Sequence, residues 1–294
     1  MTPTVVAAVL LAAVLHAGWN AMAHALADKL VAFTLVVTGG ALAGVVPAVL
    51  APFPAAGAWP YLAVSAVLHL AYQAALMRSF RLGDFGQVYP IARGTAPLVV
   101  TVLAALFVGE VPGGWAIAGV ALSCAGLVLL ALSGLLTPGR GAAGGDGRGA
   151  ARPSGAAVAA AVATGLAIAA YTTVDGVGVR ASGSPLGYVG WLMLVQALPV
   201  PVVALAVRGR ALGTQLRPVV WRGLFGGMLS LAAYGLVLWA QTRAELAPVA
   251  ALRESSILVG AAIGTVVFRE RFGLPRFAAA GLMVAGIGLM LHTG

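Results

Sequence analysis

Charge is what this chain has least of. Only 9% of its 294 residues are Asp, Glu, Lys or Arg, where a soluble domain carries about 25%. That shortage excludes a water-solvated globular fold. Cysteine is nearly absent as well. Cys124 stands alone inside an apolar run, so neither a disulfide framework nor a cysteine metal site can form, and a small buried filler remains. Four histidines occur, with no His-Glu-x-x-His spacing and no nucleophilic serine in a recognisable setting, so no catalytic or metal centre is expected. The GxxxxGK[ST] phosphate loop is missing too, so ATP binding through a P-loop is excluded, and no cofactor is expected. Acidic residues number 8 against 17 basic ones. The basic residues lie singly or in small groups between apolar runs instead of in a dense patch, which excludes nucleic acid as a partner.

What the chain has in excess is apolar length. Hydrophobic residues make up 61% of it, and the mean hydropathy is +1.01. Apolar runs of roughly 20 residues recur throughout, each long enough to cross a ~30 Å hydrocarbon core as a helix. A membrane β-barrel would need short strands alternating apolar and polar positions. Runs such as Val99–Phe107 and Ala278–Leu291 do not alternate. The expected class is therefore an all-α membrane protein of ten transmembrane helices. They are read at about 4–25, 30–51, 59–79, 85–108, 114–135, 154–176, 186–207, 219–240, 247–268 and 276–292. Breaks fall at Pro52-Phe53-Pro54, Gly83-Asp84, Pro112-Gly113-Gly114, Ser182-Gly183-Ser184-Pro185 and Gly273-Leu274-Pro275. Although Ala25-Leu26-Ala27 resembles a cleavage site, Met1–Val6 lacks the positive region of a signal peptide. The first run therefore counts as helix one.

The Gly/Ala/Arg segment 137–153 has no apolar periodicity and reads as a flexible linker. It separates two repeats, 1–136 and 154–294. A shift of 160 residues places Arg93 on Arg253, Glu110 on Glu270, Gly113 on Gly273 and Ala125-Gly126 on Ala285-Gly286. A shift of 162 pairs Ala71-Tyr72 with Ala233-Tyr234, and one of 151 pairs His24 with Asp175 and Lys29 with Arg180. Five helices per repeat is an odd number, so the halves enter the membrane from opposite sides. This is the inverted-repeat plan of secondary transporters, with the substrate site near the midplane. Loops after the odd-numbered helices hold 13 basic residues and the opposite loops hold two, Arg180 and Arg243. This bias predicts odd loops in the cytoplasm and both termini outside.

Ionisable groups at bilayer depth are costly, so they are functional candidates. His16, Trp19 and Asn20 share a face of helix one. Tyr72 and Gln73 lie in helix three beside His69, Tyr89 and Arg93 in helix four, and Tyr171 and Asp175 in helix six. Trp191 and Gln196 lie in helix seven, Tyr234 in helix eight, and Arg253 and Glu254 in helix nine. Each also has a structural alternative. Gln73 and Gln196 could bond neighbouring helices, Tyr72 and Tyr234 could be packing residues, and His69 and Trp191 could mark an interface. Arg180 and His24 read as loop charges, and Glu110 and Glu270 as turn residues. Arg93 with Asp175, or Arg253 with Glu254, could form structural ion pairs.

Several motifs carry a family likeness: His16-Ala17-Gly18-Trp19-Asn20, Val88-Tyr89-Pro90-Ile91-Ala92-Arg93, Tyr171-Thr172-Thr173-Val174-Asp175, Ala251-Leu252-Arg253-Glu254 and the turns at Glu110 and Glu270. With them the chain resembles the drug/metabolite transporter superfamily, specifically an EamA-type ten-helix member. The resemblance implies a secondary transporter, an exporter of a small polar or anionic metabolite such as an amino acid, in the inner membrane. The His-Ala-Gly-Trp-Asn start also resembles phosphonate-associated membrane proteins, which supplies a second substrate class. A scaffold or channel is the remaining rival. Better-known members are drawn with both termini in the cytoplasm, the reverse of the charge bias. The expected partners are the bilayer and a small-molecule substrate, with proton coupling through Asp175, Glu254 or His16 as an open possibility. Oligomeric state is not legible.

Overall fold

The structure is a computed structural model and describes residues 1–24, 26, 28–82, 85–136, 154–259 and 274–292. Among these residues every regular element is helical. The helices are α1 (Pro3–His24), α2 (Lys29–Leu50), α3 (Trp59–Leu82), α4 (Phe85–Leu103), α5 (Gly114–Leu136), α6 (Gly155–Ser182), α7 (Pro185–Gln196), α8 (Pro199–Arg208), α9 (Ala211–Leu216), α10 (Val220–Gln241), α11 (Leu246–Arg253) and α12 (Leu274–Leu291). Seven spans are long and apolar enough to cross a membrane, and Gly114–Leu130 and Phe277–Leu291 are shorter apolar helices. Large apolar side chains such as Leu50, Phe107 and Trp221 are exposed. A soluble protein does not present so extensive an apolar surface, and a lipid-facing one does. The chain is an all-α, multi-pass membrane protein.

Four boundaries differ from the sequence reading, each for a local reason. The predicted helix 186–207 breaks at Ala197-Leu198, because Pro199 has no N–H with which to continue the ladder. The predicted helix 154–176 runs six residues further, to Ser182. Its Gly176 and Gly178 look like breakers, but Gly176 lies against Leu246 and Gly178 against Tyr188, so burial extends the helix past them. Helix four ends in a π-helical turn, Ala104–Val108, closed by Gly109 in the left-handed conformation (φ 74°). Helix nine starts at Leu246 and is interrupted at Glu254-Ser255, and the rest of its predicted range from residue 260, with Glu270, lies outside the described residues.

The helices pack as partners from opposite halves. α3 runs along α6, α1 along α10, α2 between α10 and α7, and α5 against α12. Small residues permit the last of these contacts. A Cβ added to Gly119 would fall 2.5 Å from the Gly286 carbonyl oxygen, and one on Gly126 2.7 Å from that of Ala279. Side chains larger than hydrogen would push these backbones apart, which is why membrane helix interfaces favour small residues. Under the 160-residue shift Gly119 corresponds to Ala279 and Gly126 to Gly286, so the two contacts are reciprocal.

Candidate functional site

The two rarest residues of helices four and nine meet in the protein interior. Arg93 and Arg253 are 3% and 4% exposed, and Glu254 between them is fully buried. Arg93 Nε lies 2.6 Å from Glu254 Oε2, and Arg253 Nε lies 3.8 Å from Glu254 Oε1. The Arg93 N–H does not point along the short contact, so it counts as charge pairing without an aligned hydrogen bond. Arg93 Nη2 donates to Ser256 Oγ at 3.1 Å, and its guanidinium carbon stands 5.8 Å from the Tyr89 ring centre. Among the described residues, Arg253 Nε and Nη2 are buried with no hydrogen-bond acceptor.

Local backbone chemistry sets this geometry. In α4, Pro97 lacks the N–H that would bond the Arg93 carbonyl, and Pro90 interrupts the ladder one turn earlier. In helix nine the bonds shorten to i→i+3 around the site: Glu254 N to Ala251 O, Ser255 N to Leu252 O, and Ile257 N to Glu254 O, all 3.0–3.1 Å. Such a tight stretch marks a local hinge in the helix.

A second centre surrounds Asp175. Its two carboxylate oxygens accept from different tyrosines, Oδ1 from Tyr188 at 2.9 Å and Oδ2 from Tyr234. Ser65 lies close to this carboxylate. The Ser65 hydroxyl lies 3.1 Å from His69 Nδ1, and His69 stacks on Tyr171 with ring centres 4.1 Å apart. Tyr171 meets Tyr72 and Tyr234 edge-on at 5.6 and 6.4 Å. The two centres share one electrostatic neighbourhood: His69 feels both Asp175 and Arg253, and Tyr171 feels both arginines and both acids.

The expected ion pair between Arg93 and Asp175 is not formed. Arg93 pairs with Glu254, and Asp175 is held by hydroxyl groups. His16 lies within the field of Arg93 and Arg253, while its Nδ1 accepts from Trp19 Nε1 at 3.3 Å. Asn20 bonds back to the His16 carbonyl, and Trp19 packs towards Ala23 and Val36. Gln73 is half-buried beside Tyr72. Two candidates stand apart. Trp191 packs with Phe53 and Trp59, and Gln196 donates to Met193 Sδ at 3.2 Å. Sequence reasoning missed Tyr188, Ser65 and Ser256 and set His69 aside. A tyrosine inside the apolar stretch 185–195 was the available signal.

A third polar cluster joins the ends of several helices. Arg180 donates from Nε to the Gln241 carbonyl (2.7 Å), from Nη1 to Glu110 Oε1 (2.5 Å) and from Nη2 to the Ala244 carbonyl (2.9 Å). Glu110 Oε2 accepts the Leu246 N–H at the start of α11 (2.7 Å). Arg180 is thus a clasp on the last turn of α6 and not a loop charge. Far from it, Arg208 reaches Asp28 at 2.7 Å. The His24 side chain lies outside the described residues.

Residues 155–292 match the model of the EamA-like transporter family. The second half is thus similar to an EamA-like domain. That match indicates a membrane transporter, and the matched family is one of transporters. A solved crystal structure matches with a TM-score of 0.71 over 98% of this chain and 99% of its own, at 19% identity, a likeness that shows the fold alone. No curated protein matches the chain. The EamA-like domain supplies Tyr171, Asp175, Tyr188, Tyr234, Arg253 and Glu254, and the preceding half supplies Ser65, His69, Tyr72, Tyr89 and Arg93. The site is therefore completed by both halves.

Proposed function

We propose that this protein is a secondary transporter that exports a small polar or anionic metabolite, such as an amino acid, across the inner membrane by alternating access. One observation carries the reading: Arg253 is buried at bilayer depth with two nitrogens lacking acceptors, beside a single carboxylate shared with Arg93. An arginine in a membrane helix costs at least ~2.5 kcal/mol on insertion scales, so an unfilled guanidinium there calls for a ligand. A carboxylate or phosphonate would meet it with two parallel hydrogen bonds, which lysine cannot reproduce.

Two features support movement of one half against the other. The reciprocal contacts of α5 with α12 fit inverted repeats 1–136 and 154–294, whose shared axis passes between those helices. The Arg180–Glu110 clasp joins chain ends after α4, α6 and α10, all loops assigned to one face, and Asp28–Arg208 joins loops assigned to the other. With the odd loops cytoplasmic, these ion pairs tie loops together on both faces of the described conformation.

The arginines decide the reading. In melting experiments with a panel of amino acids, plain carboxylates and phosphonates, at least one anion should stabilise the wild type. Arg93→Lys and Arg253→Lys should fold and lose most of that ligand-induced shift. Ligand shifts equal to wild type in both variants would overturn the anion site.

A further inference from the structure

The two buried acids differ in what their partners can tolerate. Glu254 faces two guanidinium groups, which have only donors and keep their charge at every physiological pH. A proton on Glu254 would confront donors with a donor. Asp175 faces hydroxyls from three other helices: Ser65 on α3, Tyr188 on α7 and Tyr234 on α10. A hydroxyl donates to a carboxylate and equally well accepts from a carboxyl group. The Asp175 shell therefore satisfies both protonation states without moving a helix. Among the described residues Asp175 has no salt-bridge partner, so no cation has to be released when it is protonated.

The other groups facing Asp175 fit the same role. His69, on α3, senses its charge and is tied to Ser65 through Nδ1. Tyr171, on the same helix as Asp175, stacks on His69, and the charge of Arg253 also acts on His69. His69 is 8% exposed while Asp175 and Ser65 are fully buried, so the imidazole is the more accessible end of a chain His69–Ser65–Asp175. We propose that Asp175, with Ser65, His69, Tyr188 and Tyr234, is a proton-binding site separate from the arginine site. The Asp175 carboxylate takes up one proton from water by way of His69 and returns it by the same groups. No bond other than O–H is made or broken.

The inference rests on the transporter reading only for its use, since proton binding can be observed without any substrate. Infrared difference spectra of the purified full-length protein between acid and alkaline pH should contain the C=O stretch of a protonated buried carboxyl group. That band should vanish in Asp175→Asn. In whichever of Tyr188→Phe and Tyr234→Phe removes the donor to the carbonyl oxygen, it should persist at a higher frequency, because that oxygen has lost a hydrogen bond. The Phe variants keep the test valid if Asp175→Asn does not fold. A wild-type spectrum with no titrating carboxyl band overturns the proposal, and so does a band unmoved in both Phe variants. Either result leaves the ligand-shift experiment on Arg93 and Arg253 intact, so the two readings fail separately.

Discussion

Glu254 and Asp175 are both fully buried carboxylates, carried by neighbouring helices of the same half. Their surroundings are opposite. Among the described residues, Glu254 is the only acid shared by two guanidiniums, and the three groups together carry one excess positive charge. Asp175 has aromatic walls and hydroxyl donors with no cation bound to it. The contrast teaches that one membrane core can hold a carboxylate in two ways. Charge pairing sets the carboxylate between cations and leaves an electrostatic demand for an anion. Hydroxyl solvation removes that demand and leaves the group free to titrate. A third acid, Asp28, calibrates both: its side chain is 36% exposed, it caps α2 through the N–H groups of Leu30 and Val31, and it pairs with Arg208.

The comparison can be broken in order of expected effect. Glu254→Gln leaves two buried guanidiniums without a counter-ion, and breaking a buried pair in this way costs roughly 3–5 kcal/mol. Chemical denaturation in detergent should show that loss, and an anion from the stabilising panel should recover part of it. Asp175→Asn keeps the shape and can still accept from one tyrosine while the amide confronts the other. A loss of about 1–3 kcal/mol is expected, with no recovery by anions. If Asp175→Asn costs as much as Glu254→Gln, the hydroxyl shell is not what stabilises Asp175. Arg208→Ala removes only a half-exposed partner of Asp28, whose capping bonds remain. A change of about 0–1 kcal/mol, reduced further by salt, should be seen in the same measurement.

Much of this site was visible in the chain as written. Arg93, Asp175, Arg253 and Glu254 stand out because ionisable residues are rare inside apolar runs, and all four are buried in the structure. Their partners were not visible. Arg93 and Glu254 are separated by α5, the linker and five further helices, and only the crossing of α4 with α11 brings them within 2.6 Å. Tyr188 escaped notice because a tyrosine in an apolar helix more often packs than bonds. Its hydroxyl reaches Asp175 because Gly178 leaves room beside α6 for the ring. Trp191 and Gln196 shared the right composition, yet Trp191 packs on Phe53 and Trp59, and Gln196 bonds Met193.

The sequence by itself determined the membrane, the helical class and most of the spans. Those follow from local quantities: apolar run length, scarcity of charge, and the backbone limits of proline and glycine. It also determined which charges would be expensive. Tertiary structure alone decided how that expense is met, with Arg93 on Glu254, Asp175 on tyrosines, and Arg180 closed on Glu110. The physical reason is range. Burial propensity and helix formation are written within about one turn of the chain, whereas the partner of a buried charge is set by which faces of distant helices can approach. In this protein small residues at the crossings, such as Gly119 against Gly286, fix that approach.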